Sequence, residues 1–143
     1  MRVTMLFPLP ALAILAACAP AEGRPDLSGG PFAVPPAKVI GEPENCINRV
    51  QIRQARPRND DVIDFEMRGG DVFRSTLRNS CPRLGFEQAI TYNTSINQLC
   101  QTEIIYVLEN IGGQVQRGAG CSLGPFVPIE YIPKGESETE DES

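Results

Sequence analysis

The chain has 143 residues, no histidine and a formal net charge of -5 at pH 7, from 13 Lys and Arg against 18 Asp and Glu. Without histidine, the commonest general base, the usual triad partner and the commonest metal ligand are all missing. No basic excess suggests nucleic acid, and the uncharged run Val3–Ala17, 15 residues, is shorter than the roughly 20 apolar residues of a membrane span.

Arg2, that apolar run and the small residues behind it describe a secretory signal over residues 1–17. Leu15-Ala16-Ala17-Cys18 resembles a bacterial lipobox, in which the cysteine is lipidated on sulfur with fatty acyl chains such as palmitate and becomes the first mature residue. The plainer alternative is cleavage at a small-x-small site, which Ala17-Cys18-Ala19 and Ala19-Pro20-Ala21 both offer. The cysteine count favours the lipobox. There are five cysteines, at 18, 46, 81, 100 and 121, and an odd number in a secreted chain needs an explanation. Giving Cys18 to a lipid leaves four for two disulfides in an oxidising compartment. Several acyl chains hold a protein on a membrane stably. Ala19, where an Asp tends to retain lipoproteins at the inner membrane, leans the expectation toward the periplasmic face of the outer membrane, with the inner membrane as the alternative.

From residue 18 to 43 the composition is that of a Pro/Gly-rich tether, with Pro20, Pro25, Pro31, Pro35, Pro36 and Pro43. At the other end, residues 133–143 carry Glu136, Glu138, Glu140, Asp141 and Glu142 against Lys134 alone, an acidic tail expected to be disordered. Residues 44–132 between them make one domain, with nine Arg, ten acidic residues and no Lys.

Within the domain the pattern is strand and turn. Arg49–Ala55 reads as a strand with Val50 and Ile52 inward. Ile63, Phe65 and Met67 alternate with Asp64, Glu66 and Arg68, and Gly69-Gly70 then leads into Val72–Leu77, a β-hairpin. A two-residue loop would set Phe73 against Glu66, whereas an odd loop puts Phe65, Met67 and Phe73 on one face and Arg74 opposite Asp64 or Glu66. The odd loop is therefore expected. Phe86–Tyr92 reads as a further strand, Thr94–Cys100 as one capped helical turn, and Glu103–Leu108 as a central strand covered on both faces. Gly112–Gly120 reads as a loop. Cys121–Ile132, with Pro125 and Pro128, reads as an edge or strap. The expected fold is all-β: a small disulfide-stapled barrel or sandwich of five to six short antiparallel strands with one helical turn. Four cysteines allow three pairings. The sequence does not decide among them; the pairing expected here is Cys46 with Cys121, joining the two ends of the domain, and Cys81 with Cys100.

Ile63-x-Phe65, Arg68-Gly69-Gly70, Leu77, Cys81-Pro82-Arg83-Leu84, Thr94-Ser95, Leu99-Cys100 and Cys121-Ser122-Leu123-Gly124-Pro125-Phe126 occur in that order. The set resembles a family of small proteobacterial envelope proteins, a domain of unknown function, over about residues 45–128. The resemblance implies an envelope location and a four-cysteine framework, and it brings no activity, cofactor or catalytic residue.

Chemistry-bearing residues are few. With the domain cysteines oxidised and both Lys outside the domain, catalysis would need a carboxylate pair, and Asp60, Asp61, Asp64 and Glu66 are the candidates by type. The plainer reading makes Asp60 and Asp61 a turn and Asp64 and Glu66 the wet face of a strand, so no enzyme activity is expected. Asn59, Asp60, Asp61, Asp64 and Glu66 lack the spacing and central Gly of an EF-hand, so no metal and no cofactor are expected either. Arg53, Arg56, Arg58, Arg74 and Arg78 form a possible surface for an anionic partner, such as a lipopolysaccharide phosphate or an acidic protein patch. The alternative is a face neutralised by nearby carboxylates. The leading expectation is a membrane-anchored, non-catalytic periplasmic binding or accessory module of the cell envelope. The alternatives are an inhibitor of a lysozyme-like enzyme or a carboxylate-based glycan hydrolase.

Overall fold

A computed structural model describes residues 33–133. The expected signal peptide, Cys18, the first part of the tether and the tail from Lys134 onward lie outside the described residues. No helix among the described residues is long and apolar enough to cross a membrane.

The fold is all-β, as the alternating patterns imply, but the strands among the described residues are more numerous than expected: ten in three antiparallel sheets. In chain order they are β1 (Ala37–Val39), β2 (Cys46–Asn48), β3 (Ile52–Pro57), β4 (Val62–Met67), β5 (Val72–Thr76), β6 (Ile90–Tyr92), β7 (Gln98–Cys100), β8 (Ile104–Ile111), β9 (Gln114–Ser122) and β10 (Phe126–Tyr131). The largest sheet has the order β1-β10-β5-β4-β3, β2 pairs with β7, and β6-β8-β9 form the third sheet.

The β4–β5 hairpin has the register that the odd loop requires. Phe65 stands opposite Phe73 and Asp64 opposite Arg74. The Met67 amide donates to the Asp71 carbonyl at 2.8 Å, which leaves Arg68-Gly69-Gly70 as a three-residue loop closed by Gly70 at φ +99°. Ile63, Phe65 and Met67 then all point one way, into a core shared with Ile47, Leu99, Ile105, Val107, Leu123 and Phe126 from all three sheets. Phe65 and Phe126 meet edge to face, with centroids 5.4 Å apart.

Several expectations are corrected. The expected tether boundary at residue 43 lies too far along, because β1 pairs with β10 and Glu44 bridges to Phe126. Arg49–Gln51 is a 3₁₀ turn, capped by the Asn48 side chain on the Val50 amide, and Val50 points to solvent. The helical turn placed at Thr94–Cys100 is instead a bend followed by β7, with the Thr94 hydroxyl donating to the Gln98 carbonyl. A helical turn does occur at α1 (Leu84–Glu87), overlapping the start of the expected strand Phe86–Tyr92, of which only Ile90–Tyr92 is extended. It is bracketed by Arg83 and Gln88 in left-handed backbone.

The β8 strand is central in its sheet, but its alternation buries one face, with Ile105 and Val107 inside and Ile104 exposed. The expected loop Gly112–Gly120 is mostly β9. Only Gly112-Gly113 turns, with both residues at positive φ, as a two-residue type I′ hairpin turn demands. The β10 strand is interior, between β1 and β5. It tolerates Pro128 because the β1 ladder ends there, where the Ile40 amide donates to the Pro128 carbonyl at 3.0 Å.

The disulfide pairing also differs from expectation. Cys46 bonds Cys100, directly opposite it across β2–β7, and Cys81 bonds Cys121. Joining the ends of the domain is left to backbone pairing between Glu44 and Phe126, so the bridges are free to staple neighbouring segments.

One close approach gives a direct test of the packing. The buried Ser75 hydroxyl donates to the Gly124 carbonyl at 3.0 Å and accepts from the Gly124 amide at 3.1 Å. A Cβ on Gly124 would overlap the Thr76 carbonyl oxygen. Gly124→Ala is expected to cost about 2–3 kcal/mol by overpacking against backbone, read as a lower urea midpoint with an unchanged slope. Wild-type stability in that variant would contradict the close approach.

Candidate functional site

The sheet β1-β10-β5-β4-β3 has a second face, turned away from the core. Residues at Asp64 and Glu66 alternate with the core residues of β4, so they fall on it, and pairing brings Arg56 and Arg74 alongside Asp64. The β3 strand does not keep strict alternation. A bulge between Ile52 and Gln54 shifts the register, which lets both Arg53 and Arg56 reach Glu66. Bulges commonly re-aim a side chain in this way.

Asp64 is fully buried and its carboxylate is saturated with donors. Arg74 Nε donates to Oδ1 at 2.7 Å and Arg74 Nη2 to Oδ2 at 3.0 Å. Arg58 Nε donates to Oδ2 at 2.8 Å, and the Tyr131 hydroxyl donates to the same oxygen at 3.0 Å. Arg58 Nη2 also donates to the Tyr131 hydroxyl at 2.7 Å, closing a ring of three side chains. Arg74 Nη2 reaches the Pro35 carbonyl at 3.1 Å, so the segment ahead of β1 is tied to the same group. Burial pushes the Asp64 carboxyl up, but the hydrogen bonds from Arg74, Arg58 and Tyr131 outweigh it and hold the group below the usual carboxylate range. For Tyr131, burial is the main cause that raises the phenol above its ordinary value.

Glu66 sits 2.6 Å from Arg53 Nη2 and 2.5 Å from Arg56 Nε. These two arginines lie toward water, with side chains 65% and 43% exposed, against 19% and 17% for Arg58 and Arg74. Two carboxylates therefore serve four guanidinium groups, and among the described residues the cluster keeps two positive charges in excess. A small open groove lined by Gln54, Arg56, Arg58 and Gln88 runs along its β3 edge.

The structure brings together four of the five arginines that the sequence suggested for an anionic partner: Arg53, Arg56, Arg58 and Arg74. Arg78 does not join them, because its Nε donates to the Leu123 carbonyl at 3.2 Å. The neutralised-face alternative also holds in part, since all four are ion-paired. The cluster does a further structural job. As the last strand of its sheet, β3 carries a bulge, Pro57 and exposed charge, all features that discourage pairing with a foreign strand.

Three of the four carboxylate candidates, Asp60, Asp64 and Glu66, are already paired, while Asp61 is engaged through its backbone and is exposed. Asn59 Oδ1 accepts from the Asp61 and Val62 amides at 2.9 and 2.8 Å, and Asp60 Oδ1 accepts from the Gly85 amide at 2.8 Å, so Asn59–Asp61 is the turn that fastens α1. An acid catalyst of glycoside cleavage needs a raised pKa, whereas Asp64 is pulled down. Among the described residues no three His, Cys, Asp or Glu side chains converge as metal ligands would. Tyr131 was not legible as part of the site. It lies 67 residues from Asp64, and only the sheet order places it there.

No family model, curated protein or solved structure matches the chain.

Proposed function

We propose that the protein is a membrane-anchored, non-catalytic binding or accessory module of the bacterial cell envelope, held by lipid on Cys18 at the periplasmic face of the outer membrane. One observation carries the reading. The four domain cysteines pair with one another, which leaves Cys18, in its lipobox-like setting, as the fifth. Two disulfides suit an oxidising compartment. The Arg53–Arg56 edge supports a binding role, because it presents exposed guanidinium groups with an excess of positive charge. An anionic envelope component or an acidic protein patch has the matching chemistry. In-cell cross-linking of the full-length chain, with Cys18→Ser as control, tests the proposal. A recurrent partner that is lost in the variant is expected. Recovery of the same partners from both forms would remove the anchor from the function.

The inhibitor reading is favoured by a different feature. The far half of the β8–β9 hairpin, tipped by Gly112-Gly113, is exposed and presents Ile111 and Val115 to solvent. Such a narrow, partly apolar tip suits insertion into an enzyme cleft. Excess protein should then slow a lysozyme assay, and Val115→Asp should abolish the effect. An unchanged rate with the wild-type protein would dismiss this reading.

A further inference from the structure

The groove along the β3 edge is walled by Gln54, Arg56, Arg58 and Gln88, and no carboxylate lines it. Arg58 spends Nε on Asp64 and Nη2 on Tyr131, and Arg56 spends Nε on Glu66. Among the described residues, both Nη groups of Arg56 and Nη1 of Arg58 have no acceptor. Gln54 and Gln88 add two carboxamides, each with an NH₂ donor. Gln88 reaches the groove at a cost. It follows α1 in left-handed backbone at φ +53°, which glycine adopts freely and glutamine does not. Its amide closes α1 on the Leu84 carbonyl at 2.9 Å, and glycine would do that without strain. What glutamine adds at this position is a carboxamide on the groove.

We propose that this groove is a binding site for a phosphate monoester, held by Arg56, Arg58, Gln54 and Gln88. The inference rests on the anion-binding role given above to the Arg53–Arg56 edge, and it narrows that role to one chemical group. Charge and donor count decide between anions. Four arginines exceed their two carboxylates by two positive charges. A phosphate monoester brings about −1.5 to −2 charges and three acceptor oxygens. A carboxylate brings one charge and two oxygens, so it leaves a guanidinium uncompensated and donors unfilled. The planar guanidinium fork also meets a phosphate through two parallel hydrogen bonds. Competing negative charge is kept away, because Glu66 is held by Arg53 and Arg56 and Asp64 is buried against Arg58 and Arg74. The groove presents no nucleophile and no general base, so the ester is held rather than cleaved. Soluble esters and lipid headgroups share this chemistry, and the arms of the test separate them.

The full-length chain is titrated with glycerophosphate, inorganic phosphate and glutarate at matched ionic strength, and binding is read from the side-chain amide NMR signals of Gln54 and Gln88. Both signals should shift, and glycerophosphate should bind about tenfold more tightly than glutarate, the gain from one further charge-assisted hydrogen bond. Arg56→Ala should weaken glycerophosphate binding several-fold, while Arg117→Ala, on the exposed part of β9, should leave it unchanged. Gln88→Gly should also weaken binding several-fold without lowering the urea midpoint, since glycine relieves the left-handed backbone. A purely structural role for Gln88 would not separate the two readouts. Co-sedimentation with phosphatidylcholine vesicles carrying either phosphatidic acid, a monoester, or phosphatidylglycerol, a diester, identifies the source. Added retention by phosphatidic acid over phosphatidylglycerol supports a headgroup at the site, and equal retention with binding of glycerophosphate supports a soluble ester. Equal affinity for glutarate and glycerophosphate would overturn the inference and leave the broader anion-binding role standing. No shift with any of the three anions would remove both. Unchanged affinity in Arg56→Ala and Gln88→Gly would place the anion elsewhere and overturn the groove.

Discussion

Asp64→Ala should lower the stability of the domain by about 4 kcal/mol, the range found when one partner of a buried ion pair is removed. The reason is what it leaves behind. Two guanidinium groups, each less than a fifth exposed, lose the carboxylate that neutralises them, and the Tyr131 hydroxyl loses its acceptor. The loss should exceed that of Glu66→Ala, because Arg53 and Arg56 can turn to water. Asp64→Asn keeps the shape and one acceptor oxygen but not the charge, and should fall between the two. Urea denaturation of the three variants gives the ranking. A cost for Asp64→Ala no larger than that for Glu66→Ala would mean that the ring around Asp64 rehydrates freely.

The same carboxylate makes stability depend on pH in a definite direction. Its folded-state pKa lies below the ordinary aspartate value of 3.8. Ionised Asp64 is therefore favoured in the folded chain, and its contribution is fully present above about pH 4. It is lost as the pH falls through the lower folded-state value. Between pH 5 and pH 2 the wild-type domain should lose more stability than Asp64→Asn does. Parallel curves for the two proteins would show that other carboxylates control acid unfolding.

How much of this was legible in the sequence depended on the range of the interaction. The β4–β5 register followed from a local rule. With side chains alternating every residue, only an odd loop keeps Phe73 on the face of Phe65. Asp64 opposite Arg74 came with it, so half of the site was readable from a hairpin. The α1 turn was not, because Phe86, Ile90 and Tyr92 fit a strand pattern, and nothing in Arg83 or Gln88 announces left-handed backbone. The β9 strand was hidden for the opposite reason. Gly118 and Gly120 look like loop residues, yet Gly120 is small because the Tyr106 ring crosses it, and a Cβ there would come within 3.0 Å of that ring. Tyr131 and the disulfide partners depend on which strands become neighbours, and strand order is not written in any single segment.

The bridges provide the other large effect. Cys46–Cys100 and Cys81–Cys121 span 54 and 40 residues, and loop-closure entropy alone assigns each about 4 kcal/mol. Entropy therefore does not separate them, but burial does. Cys81 is fully buried and Cys121 nearly so, while Cys46 and Cys100 are only partly covered. Replacing the 81–121 pair by Ser adds two hydroxyl groups to the core without partners, at a further cost of about 1–3 kcal/mol each, whereas serines at 46 and 100 can hydrate. Since domains of this size hold only about 5–15 kcal/mol in total, Cys81→Ser with Cys121→Ser should leave the chain largely unfolded at 37 °C. Cys46→Ser with Cys100→Ser should fold with a reduced urea midpoint. The position of the bridges gives the difference a structural meaning. The 46–100 bridge joins two strands that already pair, but the 81–121 bridge ties the segment after β5 to β9, across two sheets. Losing it should loosen the arginine face and the β8–β9 hairpin relative to each other. Non-reducing peptide mapping comes first, because recovery of a 46–121 peptide would cancel both expectations. With the pairing established, equal losses in the two double variants would show that chain entropy alone, and not the core position of Cys81, sets the value of these bridges.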